Sequence, residues 1–144
     1  MININDKAEK SKEPSAKEII QEMMPPAKEI RTMALFGDVD EEKSLDMIIG
    51  MLTLTEFSTK ESPYDPITFY ISTYGGSADE MFSIYDMMTL TKKNCEIHTI
   101  GLGKVMSAGT LILAAGTKGK RKIGKHCRVM IHAVAAGSAG ELHN

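Results

Sequence analysis

The 144-residue sequence predicts an α/β fold, a parallel sheet built from βαβ units, and three observations carry that prediction. Strand-like and helix-like stretches alternate along the chain, which is the signature of parallel strands joined by right-handed crossovers. Ile67-Thr-Phe-Tyr-Ile71 is a nearly continuous apolar run, as expected of a strand buried on both faces. Two strand-to-helix turns share one plan, small residues and a hydroxyl, at Gly75-Gly76 and at Gly103…Ser107.

The elements follow in order. Residues 1 to about 16 are polar and rich in Lys, Glu and Ser, so residues 1–29 are expected to be a flexible or partly helical N-terminal segment, with a short helix over 16–24 stopped by Pro25-Pro26. Ile30 to Phe36 reads as a strand ending at Gly37-Asp38. Asp40 to Thr55 places Leu45, Ile48, Ile49 and Leu52 at helical spacing, with acids in its first turn. Residues 58–66 form a polar loop with two prolines. After the Ile67 strand, a helix spans about Ala78 to Leu90. A strand covers Glu96 to Leu102, and the Ser107 turn leads into an Ala- and Leu-rich helix ending at Ala115. Lys120–Ile123 and Arg128–Ile131 read as short strands.

Composition narrows the function. Hydrophobic residues make up 42% and charged residues 25%, and the net charge of −2 points to neither nucleic acid nor an anionic membrane. The cluster Lys118-Gly-Lys-Arg-Lys122 reads as a solvated turn and strand edge. Cys95 and Cys127 do not make a disulfide framework, so a reducing compartment is expected. No apolar run is long enough to span a bilayer. The HxxxH, CxxC and HExxH spacings are missing, as are the GxxxxGK[ST] and GxGxxG loops. No metal or cofactor is therefore expected.

Two residues stand out chemically. Ser107 opens an apolar helix, where unpaired backbone N–H groups can hold an oxyanion and apolar walls exclude water. A serine there can equally cap the helix. His132 ends the strand-like run Arg128-Val-Met-Ile-His132, close to the carboxyl edge of a parallel sheet, where sites are built. Together they can form a nucleophile–base pair. His98, beside Glu96 in mid-strand, and His126 and His143, in polar turns, fit solvated or satisfied roles.

In order along the chain run Leu35-Phe-Gly-Asp-Val-Asp40, Tyr70-Ile-Ser-Thr-Tyr-Gly-Gly-Ser77, Ser83-Ile-Tyr-Asp86, Gly103-Lys-Val-Met-Ser-Ala-Gly109, Ala115-Gly-Thr-Lys-Gly-Lys-Arg121 and Arg128-Val-Met-Ile-His132. Across residues 30 to 135 this series resembles the ClpP family, the serine-peptidase subunits of the Clp protease. The resemblance implies a ClpP/crotonase-type spiral of ββα and βαβ units over residues 30–144. It places Ser107 on the family's nucleophile, His132 on its general base, and Gly76 and Ala108 on its oxyanion-hole amides. It further implies a cytoplasmic serine endopeptidase acting on peptides or unfolded polypeptide inside a homo-oligomeric chamber, with heptameric rings and an AAA+ unfoldase as partner.

Departures accompany the match. Tyr74 stands where the family has proline, Lys104-Val105-Met106 where Gln-Ala-Ala is usual, Ala108 where Met is usual, and Thr68 and Leu90 at chaperone-docking aromatics. The sequence is expected to stop near the start of the family's handle helix, short of the third triad acid, leaving Asp79, Asp86 and Glu141 as nearby acids. On that expectation the chain is an impaired peptidase. Two rivals are a non-catalytic ClpP-like structural or regulatory subunit and, with Ser107 and His132 unexplained, a crotonase-like acyl-CoA enzyme.

Overall fold

The structure, a computed structural model, describes Met23 and residues 30–56 and 64–132. The chain divides into two compact units, Met1–Ile30 and Arg31–Asn144. Of the first, Met23 is helical and Met23 and Ile30 are exposed, and the rest of the expected 16–24 helix lies outside the described residues. Everything below concerns the second unit.

Its elements are β1 (Thr32–Phe36), α1 (Glu41–Thr55), β2 (Ile67–Thr73), α2 (Ala78–Thr91), β3 (Ile97–Met106), α3 (Ala108–Ala114), β4 (Lys122–Ile123) and β5 (Arg128–Met130). All strand pairs are parallel, in the order β1-β2-β3-β4, with β5 also pairing β3. α1 starts where Asp40 accepts the Lys43 N–H at 2.9 Å, and Glu41 and Glu42 add negative charge to its first turn. α2 starts the same way, with Ser77 accepting from the Glu80 N–H at 3.3 Å and Asp79 and Glu80 following.

The core lies between the helices and one face of the sheet. Met33, Leu35, Ile67, Phe69, Ile71 and Ile97 point into it and are buried, together with Met51, Ile84, Met88 and Ile112 from the helices. β2 departs from the expected strand buried on both faces: Ile67, Phe69 and Ile71 are buried, whereas Thr68 and Tyr70 are half-buried. Thr32, Ala34 and Phe36, their neighbours on β1, are exposed, so among the described residues the helices cover one face only.

β3 also runs further than the sequence indicates. Gly103, expected to be the turn after a strand ending at Leu102, sits inside β3 with φ +62°. Three residues of β2, Ile71 to Thr73, face five of β3, Gly101 to Val105, which is a bulge. Past it, Lys104, Val105 and Met106 pair with Arg128, Val129 and Met130 of β5. The bulge therefore brings the strand before Ser107 alongside the strand before His132.

Candidate active site

The site is built from two turns in contact. At the first, the chain leaves β2 through Gly75 (φ +107°) and Gly76 (φ +153°), a conformation that side chains rarely allow. The turn is strapped to Val39: the Val39 N–H donates to Gly75 O at 2.8 Å and the Ser77 N–H to Val39 O at 2.8 Å. Thr73 Oγ1 accepts the Gly75 N–H at 2.9 Å. A Cβ on Gly75 would lie 2.7 Å from Ser107 Cβ, so only a bare backbone lets this turn press against the second.

At the second turn, Ser107 has φ 51° and ψ −123°, and it is the single non-glycine residue with positive φ among those described. A β-carbon in that region costs about 1–3 kcal/mol, which the surroundings must hold in place. They do so through the Ser107 N–H, which donates to Met130 O at 2.9 Å, and the Ser107 carbonyl, which accepts from the Thr110 N–H at 2.9 Å. Unlike Asp40 and Ser77, Ser107 makes no side-chain capping bond, so its hydroxyl is not spent on the helix it precedes. A serine in a strained strand-to-helix turn with a free hydroxyl is the arrangement of a nucleophile elbow.

Ser107 and His132 line one cavity of about 280 Å³, whose wall also includes Thr110 and is otherwise apolar, with Met81, Leu111 and Ile131 its larger apolar side chains. Gly76 and Ala108 line it as well, so the cavity gathers all four residues singled out from the sequence. Among the described residues neither the Gly76 N–H nor the Ala108 N–H donates to another group. Two unsatisfied amides beside a hydroxyl are what an oxyanion needs.

The other histidines lie elsewhere. His98 Nε2 is 2.8 Å from Glu96 Oε2, with Lys120 3.6 Å from the same carboxylate. The His98 hydrogen bond, with Lys120 and His98 charge adding to it, holds the Glu96 carboxyl below the usual carboxylate range. His126 is exposed in a turn, and His143 is outside the described residues. His132 is exposed and makes no hydrogen bond among the described residues. Asp79 and Asp86 are exposed and neither carboxylate bonds to its ring; Glu141 lies outside the described residues. No group of three His, Cys, Asp or Glu among the described residues could hold a metal ion. No helix among them is long and apolar enough to cross a membrane.

The sequence did not single out Met81, Leu111, Ile131 or Thr110. The first three are unremarkable apolar residues until the fold turns them toward one space. Thr110 carried a weak signal, a lone hydroxyl three residues into an apolar helix.

Comparison with known proteins gives a consistent picture. The family model described as Clp protease matches residues 12–144. Over 110 residues, 76% of this chain, the sequence is 37% identical to the ATP-dependent Clp protease proteolytic subunit 1 of Corynebacterium jeikeium (strain K411), covering 55% of that protein. It is 36% identical over 110 residues to proteolytic subunit 2 of Nocardia farcinica (strain IFM 10152), covering 51% of it. Thus the chain spans about half the length of the curated relatives it matches. The crystal structure of the ClpP protease catalytic domain from Plasmodium falciparum superposes with a TM-score of 0.65 at 33% identity, over 72% of this chain and 55% of that one.

Proposed function

The chain belongs to the Clp protease family, and on that premise we propose that it is a proteolytic subunit whose Ser107 and His132 hydrolyse peptide bonds. The observation that carries this reading is the strained, uncapped Ser107 sharing one cavity with His132, Gly76 and Ala108. Ser107 Oγ attacks the peptide carbonyl carbon while His132 takes its proton. The Gly76 and Ala108 N–H groups receive the resulting oxyanion. On collapse, the C–N bond breaks and His132 returns the proton to the departing amine. A water molecule, deprotonated by the same ring, then releases the acyl group from Ser107.

The competence of the chain turns on His132. A histidine base needs a partner on its other ring nitrogen, and an unoriented ring costs about 10⁴-fold in rate. Among the described residues neither Asp79 nor Asp86 bonds to it, and on that ground the reading includes slow turnover. The lack of a ring partner among the described residues is the feature favouring a non-catalytic subunit of the same family.

Assembly and partners belong to the reading as well. Leu45 and Ile49 on α1 and Phe82 and Leu90 on α2 are more than half exposed, which supports a homo-oligomer. The relatives' ATP dependence supports an AAA+ unfoldase that delivers unfolded polypeptide. Free Cys95 and Cys127 support a reducing compartment, the cytoplasm.

The test is reaction with a fluorophosphonate followed by peptide mapping. The reading predicts one adduct per chain, on Ser107, and none in Ser107→Ala. Full folding with no adduct on Ser107 selects the non-catalytic subunit.

A further inference from the structure

Thr110 uses its hydroxyl in a way no other described helical threonine does. Thr53, Thr55 and Thr89 each donate to the carbonyl four residues back in their own helix, Ile49, Met51 and Tyr85 respectively. That is the ordinary habit of a helical threonine. Thr110, buried one turn into α3, points out of its helix. Its Oγ1 lies 3.0 Å from Met130 O on β5 and 3.3 Å from Val105 O on β3. A hydroxyl has one proton to give, and the shorter approach is to Met130.

The Met130 carbonyl thereby receives two donors, the Thr110 hydroxyl and the Ser107 N–H at 2.9 Å, one for each lone pair. Burial does little to hold this strand. β5 has three residues, all exposed, and Met130 is 46% exposed. Its place is therefore set largely by its β3 ladder, whose last rung is the Ser107 bond, and by the Thr110 bond. His132 follows two residues later.

We propose that Thr110 is a positioning residue: its hydroxyl, acting through the Met130 carbonyl, holds the strand end that carries His132 against the Ser107 turn. The catalytic consequence rests on the peptidase reading above; the structural one does not. Losing the hydroxyl frees one lone pair of Met130 O, loosens β5 and lets both the Ser107 turn and His132 wander.

The experiment compares the chain with Thr110→Val, which keeps shape but lacks the hydroxyl, and Thr110→Ser, which keeps the hydroxyl. The first readout is amide hydrogen exchange at Ser107, whose N–H shares the same acceptor. Thr110→Val should exchange about five- to tenfold faster there, the scale of one net hydrogen bond. Thr110→Ser should match the parent. The second readout is the rate of fluorophosphonate labelling, which should fall with Thr110→Val and be rescued by Thr110→Ser. Unchanged Ser107 protection in Thr110→Val overturns the proposal. If the parent chain takes no label, the peptidase reading fails while the exchange comparison still decides the positioning role. Should Thr110→Val not fold, Thr110→Ala replaces it, and equal exchange in the Ala and Ser variants is the contrary result.

Discussion

The Ser107 N–H donates to the Met130 carbonyl at 2.9 Å, and this one bond joins the turn bearing the hydroxyl to the strand that leads to His132. It depends on the bulge at Gly103, which lets the last three residues of β3 pair with β5. The site is thus an outcome of strand pairing more than of any local motif.

The Ser107 backbone should respond to substitution in a direction that a capping serine would not. With φ at 51° and no capping bond to lose, Ser107→Gly should raise stability by about 1 kcal/mol by removing the strain. Ser107→Ala should leave it within about 0.5 kcal/mol, where a true cap would lose about 1 kcal/mol. Both are read from urea midpoints at constant slope.

Gly76 should tolerate no side chain. A Cβ there would stand 2.2 Å from Val39 O and 2.7 Å from Val39 N, against backbone that cannot swing aside. Gly76→Ala is expected to cost about 3 kcal/mol or more, through strain and lost strapping of the turn. Thermal unfolding checks it, and a shift within error of the parent would contradict the packing described.

Much of this was legible in the sequence, and the misses share a cause. The helix from Asp40 was legible because apolar spacing and acids in the first turn depend on residues a few positions apart. Gly103 reads as a turn in sequence because glycine marks turns and bulges alike, and what decides between them is a partner strand 25 residues on. Ile67–Ile71 looked buried on both sides because Tyr70 and Thr68 suit a half-buried strand as well as a buried one. The resemblance had placed Ser107, His132, Gly76 and Ala108 in one site; no periodicity could have shown that Ser107 declines to cap, or that Thr110 reaches across to Met130.

Arg31 should be a principal fold determinant outside the site. It is buried, and its guanidinium donates to Asp65 O at 2.7 Å and Leu54 O at 2.9 Å, with its charge 5.5 Å from the centre of the Tyr64 ring. Arg31→Met should lose about 2–4 kcal/mol because it leaves those carbonyls without their charged donor. Arg31→Lys should recover little, since one ammonium cannot reproduce the fork. Denaturant titration of both variants provides the check.

The Glu96 carboxyl should impose a modest acid dependence. Its folded pKa is lowered by the His98 hydrogen bond and by Lys120, so its contribution is present above the ordinary carboxylate pKa. That contribution is lost as pH falls through the folded value. The stability gap between the parent and Glu96→Gln should therefore be present above the ordinary carboxylate range and close as pH falls through the lowered folded value. A gap that stays constant from pH 7 to pH 3 would mean the cluster is energetically silent.

The claim that Ser107 and His132 act together is met most directly by the rate of Ser107 labelling as a function of pH, in the parent chain and in His132→Ala. A general base makes the rate rise as the imidazole loses its proton, and contributes about 10²–10⁴-fold. The account predicts that rise in the parent, and in His132→Ala a slower, flat profile. Equal rates and equal pH profiles in the two proteins would show that His132 does not activate Ser107.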